Sequence, residues 1–127
     1  MTKEKLFEYI EGEYGVMADY PFANEWAPSP VFRHQDNKKW FALGMYIARS
    51  KLWGNSDERT WVLNLKCDPI LKPALLDKKG IYPSYHMSKE HWISVVIDEA
   101  SDEDIEFAIS MSFDLTKAKY KKKKQPN

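Results

Sequence analysis

Four short runs rich in apolar residues, Val31 to His34, Trp40 to Ile47, Trp61 to Lys66 and Trp92 to Ile97, lie between two segments of helical period at the ends of the chain. That order leaves few architectures open. At the front, Thr2 can cap a helix running to about Tyr14, with Leu6, Phe7, Ile10 and Tyr14 on one stripe and Gly12 weakening its end. At the back, Ser101 with Asp104 three residues on resembles a capping box, and Ile105, Ala108, Ile109 and Ser112 follow at helical spacing. The acidic Asp102, Glu103, Asp104 and Glu106 suit a helix N-terminus. A QDNK turn joins the first two runs as a hairpin with a four- or five-residue loop. CDPILKPALLDKKG, between the last two, reads as a short helix starting at Asp68 and Pro69 or at Lys72 and Pro73, with Gly80 as its stop. The expected fold class is α+β: an antiparallel sheet with helices packed on one face.

Alternation then assigns faces. Phe41, Leu43, Met45 and Ile47, with Leu63 and Leu65 and with Ile93, Val95 and Ile97, form the set expected to meet the helices, and Trp61 falls on the same side. Trp40, Ala42, Tyr46, Asn64, Lys66, Trp92 and Ser94 form the opposite set, with Arg33 beside them. A bare sheet face of tryptophans, a tyrosine and basic groups can stack on bases and hold phosphates. The alternative is a second, minor core, covered by the loop from Ala48 to Thr60 or by the tail.

A chain of 127 residues fits one domain and buries roughly two thirds of its unfolded surface, enough for a core without staples. The single cysteine, Cys67, excludes an internal disulfide and a zinc site of paired CxxC type. The front segment lacks the apolar stretch of a signal peptide and no long apolar run occurs, so a cytoplasmic protein without a membrane partner is expected. The formal net charge is zero, but the charges are sorted. Residues 1 to 32 carry 2 basic and 6 acidic side chains, 33 to 97 carry 11 and 6, 98 to 116 carry 0 and 7, and 117 to 127 carry 6 and 0. The expected organisation is therefore a domain over residues 1 to 116 and a basic, flexible tail over 117 to 127.

The densest chemistry is YHMSKEHW, Tyr85 to Trp92. His86 and His91 are five apart, which suits neither one helical face nor one strand face, and no carboxylate or cysteine cluster lies near enough in sequence to complete a metal shell. A lone cysteine ending an apolar strand reads as a small buried hydrophobe before it reads as a nucleophile. No acid, base and nucleophile can be assembled, so no enzyme, metal or cofactor is expected. Lys89, in a turn leading into a strand, suits an anionic ligand, with His86 orienting the loop; its plainer reading is a solvated turn residue.

KCDP (Lys66 to Pro69), GIYPSYHMSKEHWISV (Gly80 to Val95), the hairpin VFRHQDNKKWFAL, and a closing helix with Ser112 and Phe113 near its end together resemble the MmcQ/YjbR family of small bacterial proteins. Ser88 stands where that family usually has asparagine, and Phe113 where it usually has tyrosine. The resemblance implies a frataxin-like (CyaY-like) fold and a DNA-binding protein. On that implication the nucleic-acid-binding residues are Arg33, Lys38, Lys39, Trp40, Lys66, His86, Lys89 and Trp92, with the lysine tail adding nonspecific attraction. No helix presents a basic face, so backbone contact with weak sequence preference is expected. The alternative is a non-enzymatic module that binds metal ions or a basic protein through Asp98, Glu99, Asp102, Glu103 and Glu106.

Overall fold

The computed structural model describes residues 1–22 and 28–119. Helix α1 (Lys3–Tyr14) is followed by β1 (Val31–Arg33), β2 (Trp40–Ala48), a 3₁₀ turn (Arg49–Lys51), β3 (Arg59–Lys66), the short α2 (Lys72–Leu76), β4 (Ile81–Pro83), β5 (Trp92–Val96) and α3 (Asp102–Thr116). The strands form one antiparallel sheet in the order β1-β2-β3-β5-β4. Among the described residues no helix is long and apolar enough to cross a membrane.

Local chemistry sets the helix ends. Thr2 accepts from the amide of Lys5 at 3.2 Å, and Ser101 from that of Asp104 at 3.1 Å, so each long helix begins where its capping residue stands. Gly15, at φ 66°, ends α1 in the left-handed conformation, while Gly12 is carried inside the helix. Of the two starts open for α2, the later one forms: Pro73 occupies the first turn, and Asp68 instead accepts from the amide of Ile70 as a turn residue.

Two expectations are corrected. The sheet has five strands rather than four, because Ile81–Pro83 pairs with β5 at the edge; three residues ending in proline carry too little periodicity to read as a strand. The face assignment fails along β2, where Arg33 pairs with Trp40 but Phe32 pairs with Ala42, leaving Phe41 as the extra residue of a bulge. Beyond a bulge the alternation changes phase. Leu43 and Met45, with Ile47 packed beside them, therefore lie away from the long helices. Ala42 joins the helix-side core, and Tyr46 stacks on the helix-side Trp61 at 5.3 Å.

The result is two cores on opposite faces of the sheet. Leu6 and Ile10 of α1 and Ile105, Ala108, Ile109 and Met111 of α3 cover Phe32, Phe41, Leu63, Leu65, Ile93 and Val95, with Leu75 of α2 on the same side. On the other face Val31, Leu43, Met45, Val62 and Val96 are buried beneath Leu52, Tyr82, Tyr85 and Met87. Of the two readings of this face, bare or covered as a second, minor core, the covered one forms: the turn after β2 supplies Leu52, and β4 with the segment from Tyr85 the rest of the roof, leaving the rim to solvent.

Candidate nucleic-acid interface

The rim is organised by one hydroxyl. The register that pairs Leu43 with Asn64 would next pair Phe41 with Lys66, but the Ser112 hydroxyl stands between them. It donates to the Phe41 carbonyl at 2.6 Å and accepts from the Lys66 amide at 2.8 Å. The ladder bond missing at the bulge is relayed through α3, so the last turns of that helix are fixed to the sheet end where β2 begins and β3 finishes. His34 and Asn37 add to this junction. The His34 ring is 2.8 Å from the Thr116 hydroxyl and stacks on Phe113 at 4.3 Å, and Asn37 donates to the Thr116 carbonyl at 3.0 Å. Burial lowers the His34 pKa from its ordinary value, so the ring is neutral in the fold near neutral pH.

A second buried network sets the YHMSKEHW segment. Asn64 donates to the Tyr85 carbonyl at 2.8 Å and accepts from the Ser94 hydroxyl, which in turn accepts from the Tyr85 amide at 3.0 Å. Both polar groups of one backbone unit are satisfied from the sheet beneath, so Tyr85 is pinned and can roof the second core. The rest of the segment closes on itself: Lys89 donates to the Ser84 carbonyl at 2.7 Å, and the Trp92 amide to the Ser88 carbonyl at 3.0 Å. His86 takes φ 71° and stacks on Tyr85 at 4.0 Å, which bends the chain over its anchor. His91 fixes Cys67 through its carbonyl, which accepts the Cys67 amide at 2.7 Å.

The strand registers carry all eight residues named from the sequence to one end of the sheet. Arg33 pairs with Trp40 and Lys66 with Trp92; Lys38 and Lys39 lie in the loop joining β1 to β2, and His86 and Lys89 in the loop entering β5. Lys117 and Lys119 follow α3 at the same end, and the remaining tail lysines lie outside the described residues. The eight are not equivalent. Arg33 is held by Asp19 at 3.0 Å and lies over the Trp40 ring at 5.8 Å, so its charge is largely answered within the fold. Trp40, Lys66 and Trp92 are half-buried, while Lys38, Lys39, His86 and Lys89 are exposed. Trp40 also meets Phe22 edge to face at 5.8 Å. The tryptophans therefore serve the rim as supports more than as open stacking platforms. Acidic neighbours at this end include Asp36, Glu90 and Asp114, the last 3.6 Å from Lys117.

The acidic residues of the alternative reading are divided. Arg49 binds Asp98 at 2.8 Å and Glu99 at 2.7 Å, and Tyr82 donates to Glu99 at 2.8 Å, so this pair holds the 3₁₀ turn against the end of β5. Burial and the Glu99 carboxylate push the Tyr82 pKa up to about 12. Residues so far apart in sequence give no local signal of this cluster. Asp102, Glu103 and Glu106 stay with α3, and among the described residues no group of three His, Cys, Asp or Glu could hold a metal ion. Cys67 is buried and its pKa is raised by that burial, the state of an inert thiol.

The geometry defines a class first: a small α+β domain with its long helices on one face, its other face roofed, and a basic rim at one end of the sheet. A model of the YjbR family matches residues 13–115, and the chain belongs to this family, which is the MmcQ/YjbR family. The Bacillus subtilis (strain 168) protein called Uncharacterized protein YyaQ is 39% identical over 121 residues, 92% of this chain and 99% of that one. A crystal structure of a Pseudomonas syringae protein is similar with a TM-score of 0.86 at 40% identity, covering 92% of this chain and all of that one (100%). A solution NMR structure from the same organism has a TM-score of 0.86 at 37% identity, covering 98% and 100%.

Proposed function

We propose that this protein binds nucleic acid, with DNA as its ligand, through phosphate contacts at the rim and with weak sequence preference. One observation carries the reading: Lys38 and Lys39, Lys66, Lys89 and Lys117 come from four separate parts of the chain and meet at one end of the sheet. Exposed lysines on rigid supports attract a polyanion and locate its backbone, while base identity must be read by groups that enter a groove. Among the described residues, none at the rim is suited to that task. Helix α3 carries no basic residue between Asp102 and Thr116, and the tryptophans of the rim are half-buried. We read the fold as frataxin-like, on the strength of its two terminal helices against one face of an antiparallel sheet, and the protein as a cytoplasmic, non-enzymatic one.

The test is a titration of the full chain with duplex DNA, single-stranded DNA and RNA at several salt concentrations. Binding that weakens with a negative log–log slope, and weakens further in a Lys38→Ala, Lys39→Ala double variant, is the expected result. A flat slope, or no binding to any of the three at low salt, would overturn the reading.

A further inference from the structure

Three large apolar side chains leave the fold together ahead of β1: Met17 is 76% exposed, Tyr20 44% and Phe22 36%. The stretch that carries them is fastened to the β1 edge of the sheet. Asp19 and Val31 exchange both backbone bonds at 2.8 and 2.7 Å, the Asp19 carboxylate holds Arg33 at 3.0 Å, and the Tyr20 amide donates to that carboxylate at 2.8 Å. Phe22 then rests edge to face on Trp40 at 5.8 Å. The half-buried Trp40 thus holds an exposed ring at a set place outside it, as a binding surface requires.

This ledge adjoins the basic rim. A groove of about 220 Å³ joins Met17, Asp19 and Arg33 to Lys38, and Lys39 directly precedes Trp40. The carboxylate lining that groove, Asp19, is already bound to Arg33, which leaves Lys38 as its net charge. Lys66 and Trp92 continue the line across the sheet. They are register partners, so their side chains share a face, and it is the face on which Asn64, two residues before Lys66, reaches Tyr85. Trp40 packs against the core on that same face. Phe22, Trp40, Lys66 and Trp92 therefore follow one another from the β1 edge toward β5, with rings on either side of a lysine. In a duplex the faces of the bases are covered by their neighbours, and only an unpaired strand can lay them on a protein ring. Resting on the reading of the rim as a phosphate site, we propose that its DNA ligand is single-stranded. Its bases lie on Tyr20 and Phe22, backed by Trp40, while its backbone follows Lys38, Lys39 and Lys66. Stacking of this kind accepts every base, in keeping with weak sequence preference.

Fluorescence anisotropy on the full chain tests this, with a labelled mixed-sequence DNA strand of about 16 nucleotides and the matching duplex, each at several salt concentrations. The single strand should bind at least about tenfold more tightly than the duplex. Phe22→Ala and Tyr20→Ala should each weaken single-strand binding about fivefold or more and leave duplex binding within about twofold. Neither should change the salt slope, because neither removes a charge. Phe22→Tyr, which keeps a ring, should bind the single strand as the parent does. Circular dichroism checks the fold of each variant, and Tyr20, the more exposed of the two, decides alone should Phe22→Ala unfold through its contact with Trp40. Equal binding of strand and duplex overturns the inference and leaves the phosphate reading standing, as do folded ring variants that bind the strand like the parent. Binding to neither form at low salt removes both.

Discussion

The Ser112 hydroxyl bridges the Phe41 carbonyl and the Lys66 amide at 2.6 and 2.8 Å, taking the place of a bond the two strands would otherwise make to each other. A helix side chain thus supplies a rung of the sheet, and through it the end of α3 and the basic rim hold a fixed relation. Ser112→Ala removes both bonds and leaves a buried carbonyl and a partly buried amide unpaired. At about 1–3 kcal/mol for each unsatisfied group, the expected loss is about 2–6 kcal/mol. Urea unfolding should show it as a lower midpoint at nearly unchanged slope. A loss under about 1 kcal/mol would mean that water or a strand shift replaces the hydroxyl.

Asn64 holds the Tyr85 carbonyl while Ser94 receives the Tyr85 amide, so the 84–92 segment depends on a side chain two strands away. Asn64→Ala should cost about 2–4 kcal/mol, from the lost bond and from the Ser94 and Tyr85 groups left unsatisfied. The local signature is specific: amide exchange at Tyr85 should rise toward that of an open loop, ahead of the core strands. Equal acceleration throughout the sheet would show instead that the network supports global stability alone.

Gly80 sits at φ 84°, and a Cβ there would come within 2.9 Å of the Ala100 Cα. Only glycine fits, because the turn after α2 rests on the turn before α3. Gly80→Ala combines a left-handed penalty of about 1–2 kcal/mol with a backbone clash, so a loss of about 2–4 kcal/mol in chemical unfolding is expected. A loss below about 1 kcal/mol would show that the two turns separate at little cost.

The two long helices were legible because capping and periodicity are local: Thr2, Ser101 and the stripes at Leu6 and Ile105 are each read within one or two turns. The faces of β2 were not, because a bulge at Phe41 leaves no mark in WFALGMYI and reverses every assignment after it. The basic residues are legible one by one, by type and by family resemblance. That they meet at one end follows from strand registers, which depend on pairings far apart in the chain. Lys89 closes its own loop on the Ser84 carbonyl only five residues back, but that acceptor is a backbone group, which no residue type in the segment marks.

His34 is buried between Phe41 and Phe113 and its pKa lies below the ordinary 6.5. As pH falls through 6.5 the unfolded chain takes up a proton at this ring before the folded chain does, so stability is lost on acidification until the folded-state pKa is passed. Above 6.5 neither state is protonated and this contribution is complete. Urea unfolding from pH 7.5 down to pH 5 should therefore show falling stability, and His34→Gln should flatten that slope whatever it does to the absolute level. An identical slope in the variant would assign the acid sensitivity to other groups.

Lys89 offers the sharpest comparison at the proposed interface, because one of its ammonium hydrogens is spent on Ser84 while the charge stays exposed. The tether fixes where the charge stands, which favours a phosphate contact of defined position. Lys89→Ala should weaken DNA binding about equally across sequences and make the log–log salt slope shallower by about 0.9, one phosphate contact. Lys89→Arg, keeping the charge, should leave the slope unchanged. Arg33→Ala should alter the slope much less than Lys89→Ala, since Asp19 at 3.0 Å already answers that charge. A larger effect at Arg33 than at Lys89, with both variants folded by circular dichroism, would move the phosphate path away from the 84–92 segment and toward the β1 edge.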